Sequence, residues 1–124
     1  MKQSADINVT NWFLTHEEES FLPSPALAEM AFGIARLQHG ARRRALETKL
    51  SEWRIRYAER TLSFTTTTAM IYGTVMVEAL ASGHNMSVVD AQIAALAIEH
   101  GATLATRNIR DFKYTSVTLT DPWA

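Results

Sequence analysis

Residues 87–111, SVVDAQIAALAIEHGATLATRNIRD, contain the signals for a helix, a turn and a short strand in succession. Ser87 is a good N-cap because its hydroxyl accepts a hydrogen bond from an amide of the first turn. Gly101 is typical of a helix C-terminus, and Ala102 to Thr106 then predicts a short buried strand. Between the two ends, apolar residues recur at the spacing of one buried helical stripe, namely Ile93, Ala94, Ala97 and Ile98.

This helix–strand unit places polar side chains at both of its ends. Asp90 lies in the first turn, where the helix dipole favours a negative charge, and Asn108 and Asp111 follow the strand. If helix and strand pack as neighbours in an α/β sheet, the helix N-terminus and the strand C-terminus meet at the edge where α/β folds keep their sites. The sequence therefore predicts that Asp90, Asn108 and Asp111 lie close together.

The composition narrows the class of protein. The chain has 124 residues, of which 47% are hydrophobic and 20% charged, as expected of one globular domain spanning residues 1–124. The net charge of −1 disfavours a basic nucleic-acid-binding module, and the lack of cysteine excludes disulfides and thiolate metal sites. Neither a signal-peptide core nor a membrane-length apolar run is present, so we expect a cytoplasmic protein that does not bind membranes.

The remaining segments alternate between helices and brief strands. Ser24-Pro25 predicts a helix start, with the serine as cap and the proline at the first helical position. The patterns predict helices over residues 8–16, 24–37, 41–60 and from the threonines at 65–68 to about Ser82, and strands at 20–22, 62–64 and 117–119. This alternation indicates an α/β fold, with a parallel sheet and helices on its faces.

Four segments of the chain form a combined pattern. In chain order they are Leu27-Ala28-Glu29-Met30-x-x-Gly33-Ile34-x-x-Leu37, Ser87-x-x-Asp90-Ala91-Gln92-Ile93-Ala94-Ala95, Leu104-Ala105-Thr106-Arg107-Asn108-x-x-Asp111-Phe112 and Asp121-Pro122-Trp123. Together they resemble the PIN domain, in the VapC or FitB toxin branch of type II toxin–antitoxin systems, over residues 8–123. The resemblance implies a three-layer domain with a five-stranded parallel sheet whose first strand is central and ends in an aspartate.

The N-terminus departs from that pattern. Asp6-Ile7-Asn8-Val9 imitates the Asp-x-Asn motif that follows the first strand, but no apolar strand precedes it, and Asp6 is too close to Glu29. We therefore expect the central strand and its acid to be absent, through either a misplaced start or a truncated gene. Because two neighbouring strands would then have unpaired backbone groups, a rearranged N-terminus or strand exchange between chains is an accompanying hypothesis.

The resemblance also implies the chemistry. It assigns Glu29, Asp90 and Asp111 as ligands of Mg²⁺ or Mn²⁺, and places Asn108 with them in the catalytic set through its amide oxygen. Clustered oxygen ligands suit these hard cations, which polarise the phosphate and lower the pKa of the attacking water. Thr106, Arg107 and Arg110 are the substrate-binding candidates, because they lie close to the acids in the sequence.

Each of these residues also has a purely structural interpretation. Taken alone, Asp90 is favoured about two to one as a dipole-stabilising residue, whereas within the motif it is favoured as a ligand. Glu29 fits a solvent-facing position and Asp111 a turn. The basic run 42–44 is typical of a solvated helix start, with contact to RNA phosphates as the alternative.

Two functional hypotheses follow. The first is a Mg²⁺-dependent ribonuclease toxin, homodimeric, with RNA as substrate and a cognate antitoxin as partner. The second is a catalytically inactive remnant that only binds the antitoxin or its own copy. The predicted loss of the first aspartate favours the remnant, whereas the retained Glu29, Asp90 and Asp111 favour the enzyme.

Overall fold

The computed structural model describes residues 7–122. Its helices are α1 (Ile7–His16), α2 (Ser24–Ala35), α3 (Ala41–Arg56), α4 (Thr66–Ala81), α5 (Val88–Glu99) and the short α6 (Ile109–Phe112), with a 3-10 turn at Glu17–Glu19. Its strands are β1 (Leu22–Pro23), β2 (Thr61–Leu62), β3 (Thr103–Ala105) and β4 (Thr118–Thr120). The α/β prediction is confirmed, although strand bounds differ by one or two residues and α6 was not predicted. In this part of the chain, no helix is long and apolar enough to cross a membrane.

The strands form two separate parallel pairs. Leu22 of β1 lies opposite Thr61 of β2, and Leu104 of β3 lies opposite Leu119 of β4. Within residues 7–122, no strand joins the two pairs into one sheet. That the chain lacks the central strand stays a prediction. Asp6 and Trp123 lie outside the described residues, so the motifs that contain them remain sequence observations.

Among residues 7–122, strand β3 has a partner strand on one edge only. The amide of Thr106 donates to the carbonyl of Thr120, at 2.9 Å, beyond the end of the β3–β4 ladder. Because backbone groups alternate in direction along a strand, those of Thr103 and Ala105 point away from β4. That side of β3 therefore offers hydrogen-bonding groups to a further parallel strand.

A long-range contact ends helix α3 earlier than the sequence pattern predicts. The predicted end at Arg60 is wrong, because the helix stops at Arg56. The carbonyl of Arg60 instead accepts from the amide of Leu22, at 2.9 Å, and its guanidinium donates to the carbonyls of Glu17 and Ser20. Arg60 therefore connects the start of β1 to the segment that precedes β2.

The start of α2 also differs from the prediction. Ser24 is the first helical residue and not the cap; Pro23 precedes the helix and no side chain caps it. The Ser24 hydroxyl instead accepts a hydrogen bond from the amide of Phe64, at 3.3 Å. This bond fixes α2 to the segment after β2, which explains why the hydroxyl does not cap its own helix.

Helix α5 has the ends that its sequence predicts. The Ser87 hydroxyl accepts from the amide of Asp90 at 3.1 Å, and Gly101 adopts a φ of +60° just after the helix. Between these ends, more of the α5 surface is buried than the single apolar stripe predicted from the sequence. Its buried residues are Ala91, Ala94, Ala95, Leu96 and Ala97, whereas the predicted Ile93 and Ile98 are half-buried.

The main hydrophobic core lies in the C-terminal half of the chain. Helix α4 packs against α5 through Val75, and the core is closed by Phe112 and Val117. We call these residues, with the buried alanines of α5, the C-terminal core cluster. In the N-terminal half, the buried apolar side chains among the described residues are Leu22, Pro25 and Tyr57.

Thr68 is a buried polar residue at the other end of the α4–α5 pair. Its hydroxyl donates to a carboxylate oxygen of Glu99 at 2.6 Å and accepts from the amide of Thr65, the N-cap of α4. Thr68→Val should lower the free energy of unfolding by about 1–3 kcal/mol, because it leaves both groups without this partner. Urea denaturation measures the change. Thr67→Val is the matched control, since Thr67 is exposed one residue earlier; an equal loss in both variants would contradict the argument.

Candidate active site

Two acids from separate elements line one cleft. Asp90 is the third residue of α5, and Asp111 lies in α6, twenty-one residues later. The cleft has a volume of about 470 Å³ and is bounded by the segment before α5 and by α6 with the turn after it. The predicted proximity of these two acids is thus reproduced in the fold, because α5 begins at the same edge at which β3 ends.

The two acids interact electrostatically. Partial burial is the largest effect on Asp90 and raises the pKa of its carboxyl. A hydrogen bond from Ser87 lowers that pKa, and the negative charge of Asp111 raises it again. Holding both carboxylates ionised therefore carries an electrostatic cost in the protein alone, which a bound cation would remove.

A side-chain hydrogen bond holds the turn between β3 and α6. The Thr106 hydroxyl accepts from the amide of Asn108 at 3.0 Å, and Asn108 directly precedes α6. Of the predicted substrate-binding residues, Arg110 lines the cleft, whereas Thr106 and Arg107 are not part of its wall, nor is Asn108. Thr106 therefore shapes the turn that presents Arg110 and Asp111.

The third predicted ligand lies on a different helix. Glu29 is exposed on α2, a helix that contacts α5, and it does not line the cleft of Asp90 and Asp111. Among the described residues, no three histidine, aspartate or glutamate side chains are close enough to hold a metal ion together. The assignment of Glu29 as a ligand stays a prediction.

Sequence reasoning missed three further side chains that line the same cleft, those of His84, Lys113 and Tyr114. The ring of His84 stacks on that of Tyr114, with centroids 3.4 Å apart and planes inclined by 20°. The Lys113 ammonium lies 5.2 Å from the centroid of the same tyrosine ring. Thirty residues separate His84 from Tyr114, and no periodicity links them, so the sequence carries no signal for this stack.

Comparison with known proteins places this geometry in a family. Residues 6–117 match the PIN domain family. The VapC ribonuclease Y4jK of Sinorhizobium fredii is 32% identical over 107 residues, which cover 86% of this chain and 76% of that protein. The toxin FitB of Neisseria gonorrhoeae is 31% identical over 107 residues, which cover 86% of this chain and 77% of that protein.

A solved structure agrees with the sequence comparison. The crystal structure of FitAcB from Neisseria gonorrhoeae contains a chain that superimposes with a TM-score of 0.89 at 28% identity, covering 98% of this chain and 89% of that one. The fold, the order of the elements and the match over residues 6–117 therefore lead to the same conclusion. The chain belongs to the PIN domain family, and its homologues include a VapC ribonuclease and the toxin FitB.

Proposed function

We propose that this chain is the ribonuclease toxin of a type II toxin–antitoxin pair, with its active site at the cleft of Asp90 and Asp111. The observation that supports this most directly is the pair of acids itself. Two carboxylates from different elements line one cleft, and burial and mutual repulsion oppose the ionisation of Asp90. Such an arrangement is typical of a functional site, where affinity for a ligand offsets the cost to the empty protein.

The acids present fit Mg²⁺ or Mn²⁺. Mg²⁺ keeps several of its waters and is commonly bound by one or two carboxylates together with substrate phosphate oxygens. Asp90 and Asp111 supply two such carboxylates. Glu29 and the amide oxygen of Asn108 are the further ligands that we propose.

The proposed mechanism assigns one role to each group. When bound, a divalent ion would supply polarisation of the phosphodiester and a lower pKa for the attacking water. Asp90 and Asp111 would hold that ion, and Arg110 would hold the substrate phosphate by charge and hydrogen bonding. Thr106 positions the turn, and Arg107 contacts the RNA backbone outside the cleft. No protein group forms a covalent bond to the substrate.

An antitoxin and a second copy of the chain are the proposed protein partners. Helices α2 and α3 pack together, and each leaves a large apolar side chain in solvent: Phe32 is 66% exposed and Ile55 is 78% exposed. Exposed apolar side chains of this size are typical of protein interfaces. We propose that this helical pair binds the antitoxin and contributes to a homodimer.

Cleavage of a single-stranded RNA tests the enzymatic proposal. We expect cleavage with Mn²⁺ or Mg²⁺ that stops in excess EDTA and resumes when the ion is restored. Glu29→Gln should lower the Mn²⁺-dependent rate by at least about tenfold, since even groups that only support a ligand cost about 10–100-fold. Glu52→Gln on α3 is the control, because Glu52 is an exposed acid on a neighbouring helix. Equal rates in the two variants would remove Glu29 from the site.

The inactive remnant is a second candidate, favoured by one observation. Within residues 7–122, no three acids or histidines stand ready to bind a metal ion together. If the chain cleaves no RNA at any Mn²⁺ concentration but forms a stable complex with the antitoxin encoded beside it, the remnant is the correct description.

A further inference from the structure

We infer that His84, Tyr114 and Lys113 form a subsite that binds one nucleotide of a single-stranded RNA next to the acid pair. This inference rests on the proposed function and names the group that would hold the substrate beside the site of cleavage. The cleft that Asp90 and Asp111 line also carries the stacked rings of His84 and Tyr114 and two basic side chains, those of Lys113 and Arg110.

His84 is the exposed member of the stack, whereas Tyr114 is half-buried. The His84 ring stacks on the Tyr114 ring, and the Lys113 ammonium lies 5.2 Å from the centroid of the same tyrosine ring. A nucleobase that stacks on the exposed histidine ring would extend the stack by one layer. Such stacking on aromatic side chains is a usual way of holding unpaired RNA bases.

The cations beside the stack suit the rest of a nucleotide. Neither Arg110 nor Lys113 forms an ion pair with another described residue. Both line the same cleft as the stack, and both are exposed. Since the whole chain has a net charge of −1, this local pair provides a positive charge that the protein as a whole lacks. A phosphate bound by these two cations would lie in the same cleft as the stacked rings and the acid pair.

RNA affinity measured without metal tests this subsite independently of catalysis. The probe is a six-nucleotide oligouridylate with a fluorescent label, titrated by anisotropy in EDTA so that metal-dependent cleavage does not occur. His84→Ala should bind it about 5–150-fold more weakly, the loss that corresponds to one stacked base. His84→Trp should restore binding, because it keeps a flat aromatic face. His39→Ala is the matched control, since His39 is an exposed histidine outside the cleft.

Salt dependence tests the contribution of charge independently. Lys113→Gln should reduce the slope of log affinity against log salt by about 0.7, the value for one phosphate contact on a single strand. Lys49→Gln, on the exposed part of α3, should leave the slope unchanged. A series of six-nucleotide oligomers, each lacking the base at one position, locates the bound base. If the subsite holds one base, the oligomer that lacks that base should bind more weakly than the others.

The outcomes discriminate between the two proposals. The subsite is supported if the parent chain binds the oligomer, His84→Ala weakens that binding and His84→Trp restores it. If the same chain cleaves no RNA with Mn²⁺, the ribonuclease proposal alone fails. Equal binding by the parent and His84→Ala overturns the subsite, and so does the absence of binding by the parent up to millimolar RNA. Equal binding of intact and abasic oligomers reduces the site to a phosphate contact and overturns the base-stacking inference.

Discussion

Asp90→Asn is expected to abolish Mn²⁺ binding at calorimetric concentrations while leaving the domain folded. Removing groups that merely support a metal ligand costs about 10–100-fold in affinity, so replacing a ligand itself should cost at least about 100-fold. The neutral amide keeps the size and the oxygen of the side chain but removes one of two negative charges from the site. Isothermal titration of Mn²⁺ into the parent and the variant measures the difference. Equal affinities would remove Asp90 from the site.

The stability of the same variant provides an internal control with a defined pH dependence. Because burial raises the pKa of Asp90 in the folded protein, ionising this carboxyl costs stability at neutral pH. Without metal, Asp90→Asn should therefore unfold at a temperature no lower than the parent. Any advantage should be greatest above the raised pKa and should disappear as the pH falls below the usual aspartate range, where both side chains are neutral. A large loss of stability at pH 7 would show that the carboxylate has a structural role.

An apolar strand added before residue 1 and ending in aspartate is expected to raise the melting temperature. Strand β3 offers the backbone groups of Thr103 and Ala105 to a further parallel partner, and within the described part of the chain β1 likewise has a single neighbour, β2. New hydrogen bonds at about 0.5–1.5 kcal/mol each and burial of the added apolar side chains at about 1.5–3 kcal/mol each together exceed the backbone ordering cost of about 1–2 kcal/mol per residue, with a net gain on the order of 2 kcal/mol. For a domain of this size, that gain raises Tm by roughly 5–10 °C.

The control is the same extension with proline at alternate positions. Proline lacks the amide and fixes φ, so it cannot complete a ladder, while the length of the extension is unchanged. Scanning calorimetry should show the rise for the apolar extension only. If both extensions or neither changed the melting temperature, the open edge of β3 would not be a strand-binding edge.

Local signals explain what the sequence predicted correctly. The serine and glycine at the two ends of α5 act within a few residues of their own position, so the bounds of this helix can be read directly from the chain. The proximity of Asp90 and Asp111 followed from a rule of α/β geometry.

Long-range contacts explain what the sequence did not predict. Helix α3 stops before Arg60 because that side chain is bound to the carbonyl of Ser20, forty residues away. The Ser24 hydroxyl similarly serves Phe64, not its own helix. The His84–Tyr114 stack arises only when the turn after α6 is brought against the segment before α5. None of these pairings has a spacing or a periodicity that sequence reasoning can detect.

The location of the C-terminal core cluster has a consequence for hydrogen exchange. The amides of α4 and α5 should exchange slowest, because opening them exposes the cluster, whereas those of α3, whose residues are not fully buried, should exchange through smaller openings. Asp90 and Asp111 both belong to the protected half, and Glu29 belongs to the other. The acid pair should therefore keep its geometry while the N-terminal helices open and close. A ligand held by the pair alone should leave the hydrogen exchange of α3 unchanged. A ligand that also binds Glu29 should slow the hydrogen exchange of α3.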